Sequence, residues 1–399
     1  MKNLRKLFCL FPLLFASGCK SNNSDKPSDQ PIDNGPEITG VKTAVEHYTN
    51  NAFEIIKNVK ATDGKDGDIT ASIKYSVLPY CEIIDGSFTP KEAGIYTVFY
   101  HVTNSRGVAD NKVCSVNVFD RPSDRTGELS TYQPVGKKAK VIIMIGQSNI
   151  EGWSHSRFVK DKLGEEQYNL LNSGAPNVKI SNWKSNPNAL FTDVHFGLGM
   201  NSDRFGPEIG ITQKLKTVDE TFYIAKYCYG GTNLAEEWAS FSRNIATGDK
   251  FLAAVNHICL ALNNLVKENI AFEVSAILWM QGGSDTGDTS WTNAYYNNEV
   301  CLTNDFRSLL GGMSADIGIH WIDTLITDEG SQSATGNRLL VDQAKIRHME
   351  EDPLGSIVDT RDCGLIKTEE PETPDLPHYD SLSEIELGRM MGEAVLNVI

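Results

Sequence analysis

From residue 139 onward, short apolar runs alternate with longer amphipathic stretches, and this alternation constrains the fold more than any other feature of the sequence. The predicted strands cover residues 140–145, 222–228, 274–280, 317–323 and 356–359, and the predicted helices cover residues 251–268, 298–310, 338–350 and 381–398. A capping box of Ser381 and Glu384 predicts the start of the last helix. Strands separated by helices pair in parallel and are covered on both faces. The sequence therefore predicts an α/β domain over residues 139–399, with a site at the carboxyl ends of its strands.

Residues 37–119 have a different character, because short β-type runs alternate there with turn pairs such as Asp63-Gly64 and Asp85-Gly86. Alternate residues are apolar in 96–102 and 113–118, which is the period of a half-buried strand. We predict a small β-sandwich. Its turn segment at 61–70, followed by 94–98, resembles bacterial Ig-like modules, which implies a spacer or adhesion role. Polar and proline-rich stretches at 20–36 and 120–138 are predicted as linkers.

Residues 1–19 have the pattern of a targeting segment, with three basic residues followed by an apolar run at 7–15. That run is too short to span a bilayer as a stable helix. The sequence Ala16-Ser17-Gly18-Cys19 then resembles the bacterial lipobox, although Ala16 stands where the box usually has leucine. The resemblance implies a lipid anchor on Cys19 and a place on the outer membrane, facing the cell surface or the periplasm. An ordinary signal peptide cleaved nearby is the alternative.

Charge and cysteine spacing exclude several partners and sites. The net charge of −15 repels phosphate backbones, so we do not expect nucleic acid to bind. The six cysteines beyond the targeting segment have no spacing typical of zinc ligands. Cys81 and Cys114 lie in the same β-rich region, and the sequence leaves open whether they form a disulfide. Asp63, Asp66 and Asp68 lack the spacing of a calcium loop, which favours a plain turn over a calcium site.

The tetrapeptide Gly146-Gln147-Ser148-Asn149 directly follows the first predicted strand of the α/β domain. A serine at this position is presented at the mouth of the sheet. Gly146 allows a tight turn, and the amides that follow can point at a developing oxyanion. A turn without a catalytic role is the alternative interpretation.

Serine is a weak nucleophile and needs a base, and Asp375-Leu376-Pro377-His378 offers one. A carboxylate three residues before a histidine, in a turn fixed by proline, can bond the ring Nδ1 while Nε2 faces the serine. The other seven histidines lack this arrangement. A surface loop that happens to carry Asp375 and His378 is the alternative.

Two more glycine-containing segments follow predicted strands. Gly231 lies beyond the strand at 222–228 and can bring a backbone amide close to a carbonyl oxygen. Gln281 follows the strand at 274–280, and its side-chain amide can donate a second hydrogen bond. One such turn is unremarkable, but successive strand ends with these features indicate a shared site.

These blocks occur in an order that resembles the SGNH-hydrolase superfamily, over about two thirds of the chain. Within it, the chain is most similar to sialate O-acetylesterase-like and acetylxylan-esterase-like carbohydrate esterases. The resemblance rests on Gly146-Gln147-Ser148-Asn149, Phe205-Gly206-Pro207-Glu208, Tyr229-Gly230-Gly231-Thr232, Trp279-Met280-Gln281-Gly282 and Asp375-Leu376-Pro377-His378. It implies a flavodoxin-like three-layer αβα fold. Where the family usually has Gln-Gly-Glu, this chain has Gln281-Gly282-Gly283.

The resemblance also implies roles for individual residues. Ser148 would be the nucleophile, His378 the base and Asp375 the acid that orients it, while the Ser148 amide, Gly231 and Gln281 would form the oxyanion hole. We expect further substrate contacts from residues beside these blocks, namely Gln147, Asn149, Trp153, Asn233 and Trp238.

The predicted activity is removal of O-acetyl groups from an acetylated polysaccharide or sialic acid through an acyl-enzyme, without a metal or organic cofactor. Two alternatives stay open at this point. One is an SGNH hydrolase of lipids or thioesters. The other is a glycan-binding lipoprotein whose esterase domain has decayed, which Gly283 and the Ig-like resemblance suggest.

Overall fold

A computed structural model describes residues 35–119, 136–243, 245–310, 313–327, 336–367 and 377–399. The predicted signal peptide, the lipobox and nearly all of both linkers lie outside these ranges, as does Asp375. The described residues form an all-β region followed by an α/β region. None of their helices is both long and apolar enough to cross a membrane.

The all-β region is built from ten short strands and one turn of 3-10 helix. The strands are β1 (Pro36–Thr39), β2 (Ala44–Tyr48), β3 (Phe53–Glu54), β4 (Lys60–Asp63), β5 (Gly67–Asp68), β6 (Lys74–Leu78), β7 (Ile83–Ile84), β8 (Ser87–Phe88), β9 (Gly94–Thr103) and β10 (Ala109–Phe119). They form three sheets with the orders β1-β4-β5, β2-β10-β9-β6 and β3-β8-β7. Apolar side chains from all three sheets share one core, so the region is folded around an interior of its own.

Two open questions about this region are answered by its side chains. Cys81 and Cys114 both contribute to the core as free thiols, so they are not joined by a disulfide. The buried carboxylate of Asp63 accepts hydrogen bonds from the amides of Lys65 and Asp66 at 2.9 and 3.0 Å and pairs with Arg106 at 3.0 Å. These contacts fit the plain turn rather than a calcium site, because the carboxylate of Asp63 is already paired with the guanidinium of Arg106.

The α/β region holds a seven-stranded sheet and seven helices. Its strands are β11 (Ala139–Gly146), β12 (Ser154–His155), β13 (Val178–Asn182), β14 (Thr192–Asp193), β15 (Arg204–Phe205), β16 (Phe222–Cys228), β17 (Phe272–Met280), β18 (His320–Thr324) and β19 (Gly355–Val358). Its helices are α1 (Ser148–Glu151), α2 (Ser156–Asn172), α3 (Glu208–Leu215), α4 (Asp249–Lys267), α5 (Thr289–Leu310), α6 (Asn337–Glu351) and α7 (Ser381–Val398). The sheet has the order β14-β13-β16-β11-β17-β18-β19, while β12 and β15 pair separately.

This sheet confirms the predicted mostly parallel arrangement, since only the edge strand β14 runs antiparallel to its neighbour. Strand β11 lies at its centre and has apolar side chains on both faces. Ile142 and Met144 join a core with α2, α3 and α7, whereas Ile143 and Ile145 join a core with α4, α5 and α6. The region is therefore a three-layer αβα structure.

The start of α5 and the cap of α7 differ from the predictions. Helix α5 begins at Thr289, nine residues before the predicted 298. The capping box at the start of α7 was wrong, because the N-cap is Asp380, whose side chain accepts a hydrogen bond from the amide of Ser383 at 2.7 Å. Glu384 is instead buried, and this burial raises the pKa of its carboxyl well above the usual range.

Candidate active site

Ser148 lies at the carboxyl end of the central strand β11 and opens the short helix α1. The turn between the two requires glycine at 146, where φ is +143° and a Cβ atom would lie 2.3 Å from the carbonyl oxygen of Met280. Ser148 is 7% exposed. The sequence therefore places this serine at the edge of the sheet where the loops after β16 and β17 also begin.

His378 lies beside the segment that follows Ser148. Its imidazole stacks on the indole of Trp153, with ring centroids 4.5 Å apart and an interplanar angle of 18°. The side-chain amide of Asn149 donates to the carbonyl oxygen of Pro377 at 3.3 Å. The chain neighbours of Ser148 and His378 are thus in contact although 228 residues separate them. The described residues do not include Asp375, so its predicted role stays a prediction.

The glycine pair after β16 passes closely over Ser148. The amide of Gly230 donates to Glu151 Oε2 at 2.9 Å. A Cβ atom on Gly230 would lie 3.4 Å from Cβ of Ser148 and only 2.9 Å from Glu151 Oε2, so a side chain here would displace the Glu151 carboxylate. Gly231 has a φ of +73°, and a Cβ atom there would meet nothing within 4 Å. The loop therefore presents open backbone at Gly231 next to the serine.

Gln281 does not fit the oxyanion-hole role predicted for it. Its side chain is fully buried, and Nε2 donates to the carbonyl oxygen of Thr232 at 2.9 Å and to Asp285 Oδ2 at 2.6 Å. Its Oε1 accepts from the hydroxyl of Tyr295 at 3.2 Å. Because both amide hydrogens are directed at protein acceptors, Gln281 braces the loops behind the site instead of facing it.

Asp285 is the centre of this brace, a role that was not predicted from the sequence. Its fully buried carboxylate accepts from the backbone amides of Leu234 and Ala235 at 2.8 and 3.1 Å, as well as from Gln281. Burial raises the pKa of Asp285, although these hydrogen bonds oppose the shift. The carboxylate fastens the loop after β16 to the loop after β17.

Two predicted substrate contacts join loops to one another. Gln147 Oε1 accepts from the amides of Gly282 and Ser284 at 3.0 and 3.4 Å, and Asn149 holds the segment at Pro377 as described above. A Cβ atom on Gly283 would lie 3.2 Å from Gln147 Nε2. A side chain at position 283, where the family usually has glutamate, would therefore contact Gln147.

The other three predicted contacts also have structural partners. Trp238 is fully buried and donates from its indole to Thr232 Oγ1 at 2.8 Å, so the prediction that it binds substrate was wrong. Asn233 accepts from the amide of Glu236 at 2.7 Å and donates to Glu237 at 2.9 Å, which caps the loop locally. Trp153 packs against His378, with one of its ring faces covered by the imidazole.

Two buried ionic contacts near Ser148 were missed. Lys226 Nζ lies 2.7 Å from Glu208 Oε2 and donates to the carbonyl oxygens of Glu151 and Leu198 at 2.8 and 3.0 Å. Lys184 pairs with the carboxylate of Glu151. A lysine within the apolar run 222–228 was the one sequence signal available, because a buried ammonium requires a partner.

The one large aromatic side chain near Ser148 that is prominently exposed within the described segments is Tyr229, at 39%. It immediately precedes Gly230, its ring stacks on Trp183 with centroids 5.7 Å apart, and Lys250 Nζ lies 4.2 Å from its centroid. The mouth of the site thus has an aromatic wall with a cation beside it.

In the part of the chain that the structure describes, no group of three or more His, Cys, Asp or Glu side chains is arranged to hold a metal ion. Residues 138–397 match the family described as carbohydrate esterase, sialic acid-specific acetylesterase.

The chain belongs to this carbohydrate esterase family. The match covers the α/β region and every block discussed above. It does not include the all-β region that precedes them. The resemblance stated from the sequence is thereby confirmed at the level of a carbohydrate esterase. No curated protein matches the chain.

Solved structures with similarity to the carbohydrate esterase chain include a protein from Arabidopsis thaliana, with 18% identity, 65% of this chain and 99% of that chain covered, and a TM-score of 0.49. The protein NanS matches with 14% identity over 66% of this chain and 98% of its own, with a TM-score of 0.45. A structure of the CBM51-2 and INT domains from Clostridium perfringens ZmpB, in complex with GlcNAc, matches with 26% identity over 26% of this chain and 21% of its own, with a TM-score of 0.17.

Proposed function

We propose that this carbohydrate esterase is a serine O-acetylesterase that removes acetyl groups from a sugar through an acyl-enzyme. The observation that carries the proposal is the contact between the neighbours of Ser148 and His378 at the carboxyl edge of the sheet. Nucleophilic ester cleavage requires a hydroxyl within reach of an imidazole, and these contacts support that pairing for Ser148 and His378.

In the proposed reaction, Ser148 Oγ attacks the acetyl carbonyl carbon while His378 accepts the hydroxyl proton. The ester C–O bond of the sugar breaks, and the departing sugar oxygen takes that proton from His378. Water then attacks the acetyl-serine ester and gives a proton to His378. The bond between the acetyl carbon and Ser148 Oγ breaks, Oγ takes the proton back from His378, and acetate leaves. Asp375 is proposed to orient the imidazole through Nδ1.

The oxyanion that forms in each step needs donors that are already in place. We assign the backbone amides of Ser148 and Gly231 to this role. The open backbone at Gly231 and the approach of the preceding residue, Gly230, to Ser148 support the assignment. Gln281 is left out, because its amide is already bonded to Thr232 and Asp285.

The test compares Ser148→Ala with the wild type on p-nitrophenyl acetate and on acetylated glycans, with acetate release as the measurement. Loss of a catalytic triad serine lowers kcat by about 10³-fold or more. Ser275→Ala is the matched control, since Ser275 is also a buried serine but lies nearer the other end of β17. Wild-type activity that survives Ser148→Ala would reject the mechanism.

The choice of substrates decides the finer assignment. Acetylated xylan, acetylated pectin and O-acetylated sialic acid conjugates are compared for acetate release. Faster turnover of long-chain esters than of acetate would indicate a lipase-like enzyme instead. Tight glycan binding without acetate release would indicate a decayed esterase and contradict the proposal.

We also propose that the protein is anchored by a lipid on Cys19 and that residues 37–119 serve as an Ig-like spacer. The lipobox-like Ala16-Ser17-Gly18-Cys19 and the polar tether after it support the anchor. Labelling with a radioactive fatty acid tests it, with Cys19→Ser as the control. Equal labelling of both proteins would contradict the anchor.

A further inference from the structure

Glu151 is a buried carboxylate that the proposed reaction does not use. It lies at the end of α1, one helical turn after Ser148, and is 3% exposed. Burying a carboxylate is costly unless hydrogen bonds and opposite charge compensate for the lost hydration. The contacts that compensate at Glu151 show what this residue holds in place.

The first contact reaches the proposed oxyanion hole. Glu151 Oε2 accepts from the amide of Gly230 at 2.9 Å. Gly231 follows directly, so this bond sets the position of the backbone that carries the proposed donor amide. The loop also lies close to the serine at this point, since a Cβ atom placed on Gly230 would be 3.4 Å from Cβ of Ser148.

The second contact reaches the proposed base. The same oxygen, Oε2, accepts from Trp153 Nε1 at 2.9 Å. The indole fixed in this way is the ring on which the imidazole of His378 stacks. One carboxylate oxygen therefore sets the orientation of both the oxyanion loop and the ring that supports the base.

The third contact supplies charge. Lys184 pairs with the other carboxylate oxygen from the segment after β13, and its own side chain is 25% exposed. This pairing compensates the buried charge. Among the hydrogen bonds described, none joins Lys184 to Gly230 or Trp153. Lys184 and Glu151 therefore offer separate tests of charge and of hydrogen bonding.

We infer that Glu151 is a positioning residue that aligns the oxyanion-hole amide and the general base relative to Ser148; the inference rests on the proposed function. Positioning of this kind acts on groups whose interactions strengthen in the transition state. Its loss therefore lowers kcat while leaving KM nearly unchanged. A misplaced oxyanion donor costs on the order of 10²-fold in kcat.

The experiment compares Glu151→Ala, Glu151→Gln and Lys184→Met in the full chain. We expect kcat to fall by about 10²-fold in Glu151→Ala with KM changed by less than about threefold. Glu151→Gln keeps a carbonyl acceptor for Gly230 and Trp153, so its kcat should be at least about tenfold higher than that of Glu151→Ala. Lys184→Met should lower stability, because it leaves the buried carboxylate without a counter-charge. Its kcat should stay within about threefold of wild type, since both hydrogen bonds to Oε2 remain. Asp63→Asn, a buried carboxylate of the all-β region, is the matched control and should leave kcat unchanged.

Three results would overturn the inference. They are wild-type kcat in folded Glu151→Ala, a raised KM with unchanged kcat, and equal damage from Glu151→Ala and Glu151→Gln. Folding is checked by circular dichroism and thermal unfolding of every variant.

A second readout does not depend on activity. Nuclear magnetic resonance follows the indole Nε1–H of Trp153, whose signal is assigned by its disappearance in Trp153→Phe. Solvent exchange of this proton should be slow in the wild type and faster in Glu151→Ala. An unchanged signal overturns the inference even if the wild type proves to have no esterase activity. Activity that depends on Ser148 but not on Glu151 rejects this inference and leaves the proposed function standing.

Discussion

At the scale of single residues, the site is supported by buried charges that pair with groups from distant segments. Lys226 shows this best, because its ammonium meets Glu208 and two backbone carbonyls while being 1% exposed. A buried pair of this kind adds little stability over apolar residues, yet removing one partner is strongly destabilising. It therefore makes correct placement of three segments a condition of folding.

Lys226→Met should lower the free energy of unfolding by about 3–5 kcal/mol, because it leaves Glu208 buried without a counter-charge. Urea unfolding measures the change. The double variant Lys226→Met with Glu208→Gln should recover most of the loss, since the remaining partner no longer carries a charge. Equal stability of the single and double variants would contradict the explanation.

The sequence predicted Ser148 and His378 because their signals are local, a glycine turn after an apolar strand and an acid-proline-histidine loop. Glu151 and Asp285 could not be predicted in the same way. The hydrogen-bond donors that reach them from other loops are backbone amides, at Gly230 and at Leu234 and Ala235. Backbone amides carry no residue identity, so nothing in the sequence links them to a particular carboxylate.

At the scale of elements, the strands with continuous apolar runs were predicted well, whereas α2, α3 and the strands β13 and β14 were missed. Strand β16 has the predicted bounds, and α6 differs by one residue at each end. Helix α2 was missed because only Phe158, Val159 and Leu171 of its residues are buried, which leaves almost no apolar period to detect. Burial by tertiary contacts, and not helix propensity, gives an amphipathic signal.

Helix α4 illustrates how an element's packing affects stability. His257 on this helix is 4% exposed and lies against Ser181 of β13, with Nε2 3.3 Å from the serine hydroxyl. Burial lowers the pKa of His257 to about 4. The folded state therefore favours the neutral imidazole, whereas the unfolded chain takes up a proton below its ordinary value near 6.5.

The contribution of His257 to stability should accordingly be complete above pH 6.5 and be lost as the pH decreases from 6.5 through 4, by up to about 3 kcal/mol. Unfolding in urea at a series of pH values measures this slope, and His257→Gln should reduce it. Asp305→Asn is the opposite control. Burial raises the pKa of Asp305 to about 6, so protonation of its carboxyl stabilises the protein as the pH falls over the same interval. Asp305→Asn removes this gain and should make stability fall more steeply with decreasing pH. An unchanged slope in His257→Gln would contradict the argument.

At the scale of the whole molecule, the all-β region packs against the α/β region. Strand β9 was predicted as half-buried, yet its side chains are buried on both faces around Phe99. Val98 and Tyr100 point into the all-β core, whereas Phe99 joins the core that includes α4. The difference arises because a helix distant in sequence covers the second face of the strand.

Polar contacts extend this interface toward the site. The side-chain amide of Asn111 donates to the carbonyl oxygen of Arg243 at 3.0 Å. Arg243 Nη1 in turn donates to the carbonyl oxygens of Leu234 and Ala235 at 2.9 and 2.6 Å. The all-β region thus contacts the loop that Asp285 fastens.

Phe99→Ala should uncouple the two regions, because it removes the aromatic side chain that joins their cores, at a cost of about 3–5 kcal/mol. In differential scanning calorimetry we expect one transition for the wild type and two for Phe99→Ala. Val98→Ala, the neighbouring residue on the opposite face, should lower the transition temperature without splitting it. A single transition in Phe99→Ala would contradict the coupling.

The hydrogen bond between Asn149 and Pro377 joins positions 228 residues apart, and the one between Ser154 and Tyr379 joins positions 225 apart. Loops of that length close late, after local helices and neighbouring strands have formed. A partly folded chain can thus show nearly full helix content by spectroscopy before the segment that carries His378 has packed beside Ser148. Catalytic competence is consequently a stricter gauge of a finished preparation than any measure of secondary structure.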